Sequence, residues 1–189
     1  MRVIHKVMLI TVTAMIILSA AAAGFNTFVY GTLDIKHKSA PQHLNIDSPK
    51  GRALVIYEPA RTDVTKKAAL DIARCLNDNG YNVTINYPGD YLTKDVSGYN
   101  VVAFGTPVYS DYGSPLITDY IKRVKGLDGK TVLLFTTGYN DTDKAYDGLD
   151  TYTEDAADVR RFKFVIQSDN NDKALMRTAQ ENVGDIYAD

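Results

Sequence analysis

The chain has 189 residues, with 21 Lys and Arg against 23 Asp and Glu and a formal net charge of −2. This length suits one compact domain with a short extension. Residues 52–189 carry 16 Lys and Arg against 21 Asp and Glu, a net charge of −5. Nucleic acid is therefore not an expected partner, because phosphate backbones are bound through excess positive charge.

Histidine and cysteine are scarce, and their positions exclude several classes of catalytic and metal site. His5, His37 and His43 all precede residue 52, and Cys75 is the single cysteine, so no intramolecular disulfide can form. A Ser-His-Asp triad, a Cys-His nucleophile and the usual zinc sites therefore lack their side chains in residues 52–189. We predict no catalytic side chain and no metal site, and expect any chemistry to come from a bound cofactor.

The first predicted element, in residues 1–31, is an apolar helix. No residue from Val7 to Tyr30 is charged. A helix over this segment spans roughly 36 Å, which exceeds the hydrocarbon core of a bilayer at about 30 Å. The segment therefore predicts one transmembrane anchor, and Tyr30 suits the membrane interface.

A cleaved signal peptide is the alternative for the same segment. Arg2 and Lys6 precede the apolar run, and Ala20–Ala23 offer small residues for cleavage. Basic residues flank both ends of the run, so the charge pattern leaves the side of the membrane open. A short N-terminal tail slightly favours a domain outside the membrane.

Residues 32–51 are predicted to be a linker, because Ser and Pro recur there without apolar periodicity. The remainder, 52–189, alternates strand and helix patterns, with Gly80 as a C-cap and Ser114 as an N-cap. The predicted strands are Ala53–Tyr57, Tyr81–Tyr87 (as an edge strand), Asn100–Gly105, Lys130–Thr136 and Phe162–Ile166. The predicted helices are Val64–Asn79, Pro115–Val124, a short one within Thr153–Arg160, and Asp172–Ile186.

This alternation predicts an α/β fold, a three-layer sandwich around a five-stranded parallel sheet. Ligands of such sheets bind beyond the carboxyl ends of the strands. Three loops leave those ends. They contain Ala60-Arg61-Thr62-Asp63-Val64-Thr65, Phe104-Gly105-Thr106-Pro107-Val108-Tyr109 and Phe135-Thr136-Thr137-Gly138-Tyr139.

These loops, taken in order, resemble those of the flavodoxin family, and the likeness covers residues 52–189. The family's first loop has the pattern Ser/Thr-x-Thr-Gly-x-Thr, which Thr62 and Thr65 match. Its second has a Gly-Ser/Thr-Pro-x-Tyr turn, matched from Gly105 to Tyr109. The resemblance implies the strand order 2-1-3-4-5 and a bound FMN.

By this resemblance, Thr62, Thr65 and the first amides of the helix would hold the phosphate. Tyr109 or Tyr112 would stack on the flavin ring, and the Thr137–Tyr139 segment would line its other side. The implied cofactor-binding residues are Ala60, Arg61, Thr62, Thr65, Thr106, Pro107, Tyr109, Tyr112, Thr137, Gly138 and Tyr139.

Two departures leave the function open. Ala60 replaces a hydroxyl residue and Asp63 replaces the glycine, where its carboxylate would repel phosphate or cap the helix. The first hypothesis is a membrane-tethered FMN protein that passes electrons to an unidentified redox partner protein. The alternative is a binding or structural module that has lost FMN. A third is a flavin-dependent reductase of a small molecule.

Overall fold

The computed structural model describes residues 2–33, 36–109, 111–139, 143–165 and 172–184. The chain divides into two compact units, Met1–Ile35 and Lys36–Asp189. The first is a single helix, α1 (Arg2–Leu33). Within it, Ile4–Phe25 is long and apolar enough to cross a membrane, with a mean hydropathy of 2.2, although a signal sequence would satisfy the same criteria.

The second unit is built on a mostly parallel sheet. Its strands are β1 (Gln42–Leu44), β2 (Gly51–Tyr57), β3 (Tyr81–Asn86), β4 (Val101–Tyr109), β5 (Tyr112–Gly113), β6 (Thr131–Gly138) and β7 (Asp158–Val165). Its helices are α2 (Val64–Asp78), α3 (Pro115–Ile121), α4 (Lys144–Asp150) and α5 (Asp172–Gly184). The parallel strands lie in the order β3-β2-β4-β6-β7, which confirms the predicted fold class and the order 2-1-3-4-5.

Two apolar layers cover the two faces of the sheet. One packs α2 and α5 against alternate residues of the strands, including Val55 and Phe135. The other packs α3 and α4 against residues such as Ile56 and Phe104. Because β2, β4 and β6 are covered on both faces, they consist of nearly continuous apolar runs, as parallel strands usually do.

The predicted helix caps are confirmed. Gly80 follows α2 with a φ of +94°, the left-handed conformation that glycine adopts most easily. The Ser114 hydroxyl accepts a hydrogen bond from the Leu116 N–H at 3.2 Å, and Pro115 occupies the first position of α3. Local chemistry therefore sets both boundaries.

The range 32–51, predicted as a linker, contains β1, which pairs antiparallel with β3. Two side chains fix it: Asn82 Oδ1 accepts from the Ile46 N–H at 2.8 Å, and Asn77 Nδ2 donates to the Leu44 carbonyl at 3.3 Å. The prediction of β3 as an edge strand is therefore wrong, because β1 covers its outer backbone groups. His37 and His43 consequently belong to the folded unit.

The helix predicted within Thr153–Arg160 is also wrong. Turns and the start of β7 occupy that range, and the helix is α4, which begins at Lys144. Tertiary contacts select α4: Tyr146 is buried, and its hydroxyl lies 3.0 Å from the Thr136 hydroxyl and donates to the Phe162 carbonyl at 2.8 Å. The sequence around α4 is rich in aspartate and contains a glycine, so its apolar face is not evident from the residue pattern.

Gly105 provides a test of packing between β4 and β6. A Cβ on Gly105 would lie 1.9 Å from the buried Phe135 ring. We expect Gly105→Ala to lower the free energy of unfolding by roughly 1–3 kcal/mol, because the ring has no space to move into. Urea unfolding followed by tyrosine fluorescence measures this change. Gly148→Ala is the control, since its nearest neighbour is 3.9 Å away, and it should leave stability unchanged or raise it slightly.

Cys75 provides a test of burial at the α2 face. Its side chain is 5% exposed, and burial, followed by the nearby Asp78 and Asp71, raises the pKa of the thiol to about 11. At pH 8 we expect alkylation by iodoacetamide to be about 100-fold slower than for a free cysteine, because the thiolate is the reacting form. Rapid labelling of the native protein would contradict this burial, and denaturant should restore the ordinary rate.

Candidate functional site

The carboxyl ends of β2, β4 and β6 meet at one edge of the second unit. We call residues 58–65, 106–109, 111–114 and 137–139 at this edge the rim. The Glu58 N–H of the first loop donates to the Gly105 carbonyl at the end of β4 at 3.0 Å, and the Thr65 and Thr137 hydroxyls of the first and third loops lie 2.6 Å apart. The predicted convergence of the three loops is therefore confirmed.

The first loop of the rim makes its sharpest turn at Ala60, where φ is +62°. Asp63, at the position where the family pattern has glycine, has a φ of −71° and a ψ of 0°. An ordinary L-residue adopts this conformation without strain. The glycine of the family pattern is therefore not needed at residue 63 in this backbone, since the left-handed turn occurs three residues earlier.

Asp63 occupies the N-cap position of α2, but its carboxylate does not cap the helix. The side chain is exposed, as are those of Arg61, Thr62 and Lys66. Among the described residues, the backbone N–H groups of residues 62–66 donate to no backbone carbonyl, and the Asp63 side chain does not cap them. The start of α2 thus presents amide donors and the positive end of the helix dipole, which together favour an anion.

Thr65 connects the start of α2 to the end of β6. Its hydroxyl lies 2.6 Å from the Thr137 hydroxyl, and both residues are buried. One hydroxyl proton forms this bond, so the second remains able to donate to another group. The predicted site residues Thr65 and Thr137 are therefore in direct contact, although 72 positions separate them in the chain.

Thr106 and Pro107 shape the second loop from inside. The Thr106 hydroxyl accepts from the Ser114 N–H at 2.7 Å and donates to the Pro107 carbonyl at 3.0 Å. Both Thr106 and Pro107 are buried. The structure therefore gives these two predicted site residues a role in closing the loop.

Two aromatic side chains of the rim project into solvent. Tyr112 is 58% exposed and Tyr139 is 76% exposed. Tyr109 is half-buried and pairs with Tyr112 across the hairpin formed by β4 and β5. Gly138 is buried, and a Cβ there would lie 3.2 Å from Val108. Tyr112 and Tyr139 thus lie on the second and third loops, as partners of a planar ring would.

Glu58 is a buried polar group at the start of the first loop that the sequence patterns do not identify. Glu58 is 1% exposed and directly follows β2. Burial raises the pKa of the neighbouring Tyr57 hydroxyl, and Tyr87, Asp63 and Glu58 add to this shift. The sequence feature that could have identified Glu58 is its position, a carboxylate immediately after an aliphatic strand.

Similar structures are known, although no family model and no curated protein sequence matches the chain. Two-electron reduced Megasphaera elsdenii flavodoxin has a TM-score of 0.54 and 23% identity, covering 68% of this chain and 98% of that chain. Streptococcus pneumonia TIGR4 flavodoxin has a TM-score of 0.54 and 18% identity, covering 71% and 98%. An NADH:FMN oxidoreductase has a TM-score of 0.51 and 17% identity, covering 74% and 92%. The second unit therefore has the flavodoxin-like fold.

The hydroxyl pair at the rim can be tested with a double-mutant cycle. We expect Thr65→Val and Thr137→Val each to lower the free energy of unfolding by about 1–2 kcal/mol, because each leaves the other buried hydroxyl without its partner. The double variant should lose less free energy of unfolding than the sum of the losses in the two single variants. Thr178→Val is the control, since this exposed hydroxyl bonds only within α5 and should change stability by less than about 0.5 kcal/mol. Additive costs would contradict the coupling.

Proposed function

We propose that the chain is a membrane-tethered electron-transfer protein that binds FMN non-covalently at the rim. The observation that carries the proposal is the start of α2, where the amides of residues 62–66 donate to no backbone carbonyl in the described chain and Asp63 does not cap them. The flavodoxin-like fold supports the same position, since ligands of such sheets bind beyond the carboxyl ends of the strands.

The phosphate of FMN would lie at the start of α2. The amides of residues 62–66, the exposed Thr62 hydroxyl and the second proton of the Thr65–Thr137 pair supply the donors. Arg61 and Lys66 are exposed beside these donors and would offset part of the negative charge. These residues bind and orient the group, and none of them serves as an acid or a base.

The flavin ring would lie between the second and third loops. The exposed rings of Tyr112 and Tyr139 provide the surfaces for stacking. The bound flavin supplies the electron transfer, and the protein positions it and sets its potential. Asp63 and Asp111 are negative charges at the rim, and negative charge disfavours further reduction to an anionic flavin.

The tether in this proposal is α1. Its segment Ile4–Phe25 is long and apolar enough to span a bilayer. A flavin held near a membrane would exchange electrons with a redox partner protein at the same surface.

The competing function is a binding or structural module without flavin, and Asp63 is the observation that favours it. Its exposed carboxylate lies at the start of α2, where the phosphate would bind. The repulsion amounts to about 1 kcal/mol per unit charge pair at 4 Å in water and falls as salt is added. This energy weakens FMN binding but is too small to abolish it alone.

Titration of the full-length protein in detergent with FMN, followed by flavin fluorescence, decides between the two functions. We expect saturable binding that Asp63→Asn strengthens about three- to tenfold at low salt, because one repulsive charge is removed. Tyr139→Ala should weaken binding by a similar factor through lost stacking.

Asp155→Asn is the matched control for Asp63→Asn. Asp155 is an exposed carboxylate in the turn before β7 and lies outside the rim, so its removal should leave FMN affinity unchanged. The electron-carrier proposal fails if neither the wild-type protein nor Asp63→Asn binds FMN saturably. The module without flavin would then be favoured.

A further inference from the structure

The connection from β3 to β4 differs from the other crossovers of the parallel sheet. Helices α2, α3 and α4 lie in the other three, whereas residues 87–100, all described, contain no helix. Irregular chain therefore lies beside α3. A cavity of about 440 Å³ opens there, within the size range of small-molecule sites. We call it the crossover groove, and it is lined by residues 36–38, residues 88–91, Leu116, Asp119 and Arg123.

The groove has an apolar wall and a fixed aromatic ring. Leu116 and Pro88 form part of the wall, and the Tyr91 ring is 39% exposed. The Tyr91 hydroxyl lies 3.2 Å from the Tyr87 carbonyl, 3.3 Å from the His37 carbonyl and 3.3 Å from Asn86 Oδ1. These contacts hold the ring in place, so it offers a preformed surface to an organic group.

Positive charge gathers at the groove on a unit that is otherwise acidic. Lys36, Lys38 and Arg123 line it, and the Lys38 ammonium lies 5.8 Å from the centroid of the Tyr91 ring. Lys94 supports the floor by donating to the Gly89 carbonyl at 2.6 Å. Hydrogen bonding and charge from Arg123, followed by Lys94 and Lys36, lower the pKa of the exposed Asp90 carboxyl.

Two carboxylates partly offset these charges. Asp90 forms an ion pair with Arg123, and Asp119 forms one with Lys122 at 3.3 Å. The three lining cations, Lys36, Lys38 and Arg123, outnumber the lining carboxylates of Asp90 and Asp119 by one. The groove therefore carries a local excess of positive charge, whereas residues 52–189 have a net charge of −5.

A buried donor lies next to the groove. Asn86 is 3% exposed, and its Oδ1 accepts from the Tyr87 N–H at 2.8 Å, which fixes the orientation of the amide. Its Nδ2 has no acceptor among the residues that the structure describes. Asn86 does not itself line the groove, so its contribution is to support Tyr91, whose hydroxyl lies 3.3 Å from its Oδ1.

We propose that the crossover groove binds a phosphate ester. Lys38 and Arg123 hold the phosphate, and the organic part packs against Tyr91 and Leu116. Arg123 suits this role because its guanidinium carries several donors in a planar fork. No rim residue lines the groove, so this site is separate from the one assigned to FMN.

The ester has two possible sources, a soluble metabolite or the headgroup of an anionic phospholipid. The lipid is a source because Lys36 follows Leu33, the last residue of α1, by three positions. Basic residues next to a membrane-spanning segment attract anionic lipids. Both sources present the same phosphate chemistry to Lys38 and Arg123.

Calorimetric titration of the full-length protein in non-ionic detergent tests the proposal. The probes are sn-glycerol 3-phosphate for the soluble source and dihexanoyl phosphatidylglycerol for the lipid source, with glycerol as the uncharged reference. FMN is left out, because it is itself a phosphate ester and could occupy the groove; the Arg123 variant below distinguishes binding at the groove from binding at the rim. We expect saturable binding of at least one probe and none of glycerol, with affinity falling as salt is added.

Substitutions of the lining cations test whether the probe binds in the groove. Arg123→Gln should weaken binding about tenfold or more by removing charge-assisted hydrogen bonds, and Lys38→Gln should weaken it about threefold. Arg177→Gln is the control, because Arg177 is 79% exposed and pairs with Glu181 on α5, outside the groove. Lys38 is also exposed, so the result does not depend on the stability of one variant.

The results of these titrations distinguish the soluble ester from the lipid headgroup, and they test the groove independently of FMN binding at the rim. Binding of glycerol phosphate alone assigns the soluble source, and stronger binding of the lipid assigns the headgroup. Saturable binding of neither probe, or equal affinities in Arg123→Gln and Arg177→Gln, would overturn the groove proposal. FMN affinity is measured separately through Asp63→Asn, so either proposal can fail while the other stands.

Discussion

The hydrogen bond between the Thr65 and Thr137 hydroxyls is the contact on which the geometry of the rim depends. It connects the first turn of α2 to the end of β6, across the width of β4. Because both residues are buried, neither hydroxyl can exchange the other for water without cost. The first and third loops are thereby held at a fixed separation, which a shared ligand site requires.

Charge distinguishes the two candidate sites of the second unit. The rim combines amide donors and a helix dipole with the exposed carboxylate of Asp63 and the partly exposed carboxylate of Asp111, so attraction and repulsion of an anion act at the same place. The crossover groove relies on side-chain cations from two separate segments, residues 36–38 and Arg123. Binding at the rim should therefore respond to single carboxylates, and binding at the groove to single cations.

Much of the fold could be predicted from local patterns. The aliphatic runs of β2, β4 and β6 and the apolar face of α2 specify buried strands and a packed helix, and Gly80 and Ser114 mark helix boundaries. The two failures have physical causes. Three residues of β1 form a strand because β3 offers them an unpaired edge, and α4 forms because Tyr146 finds buried partners on β6 and β7.

For the candidate site, too, some features could be predicted from the sequence and others could not. By itself, the sequence determined which loops follow the carboxyl ends of the strands, and that Thr65, Tyr112, Thr137 and Tyr139 belong to them, because the positions of the loops follow from the periodicity of the strands and helices. The strand order was an implication of the resemblance to the flavodoxin family. Only the tertiary structure decided that the left-handed turn falls at Ala60, that Asp63 does not cap α2 and that Thr106 is used internally. It also placed residues 36–38 beside Tyr91 and Arg123. These features depend on backbone angles and on contacts between distant segments, which residue spacing along a chain does not encode.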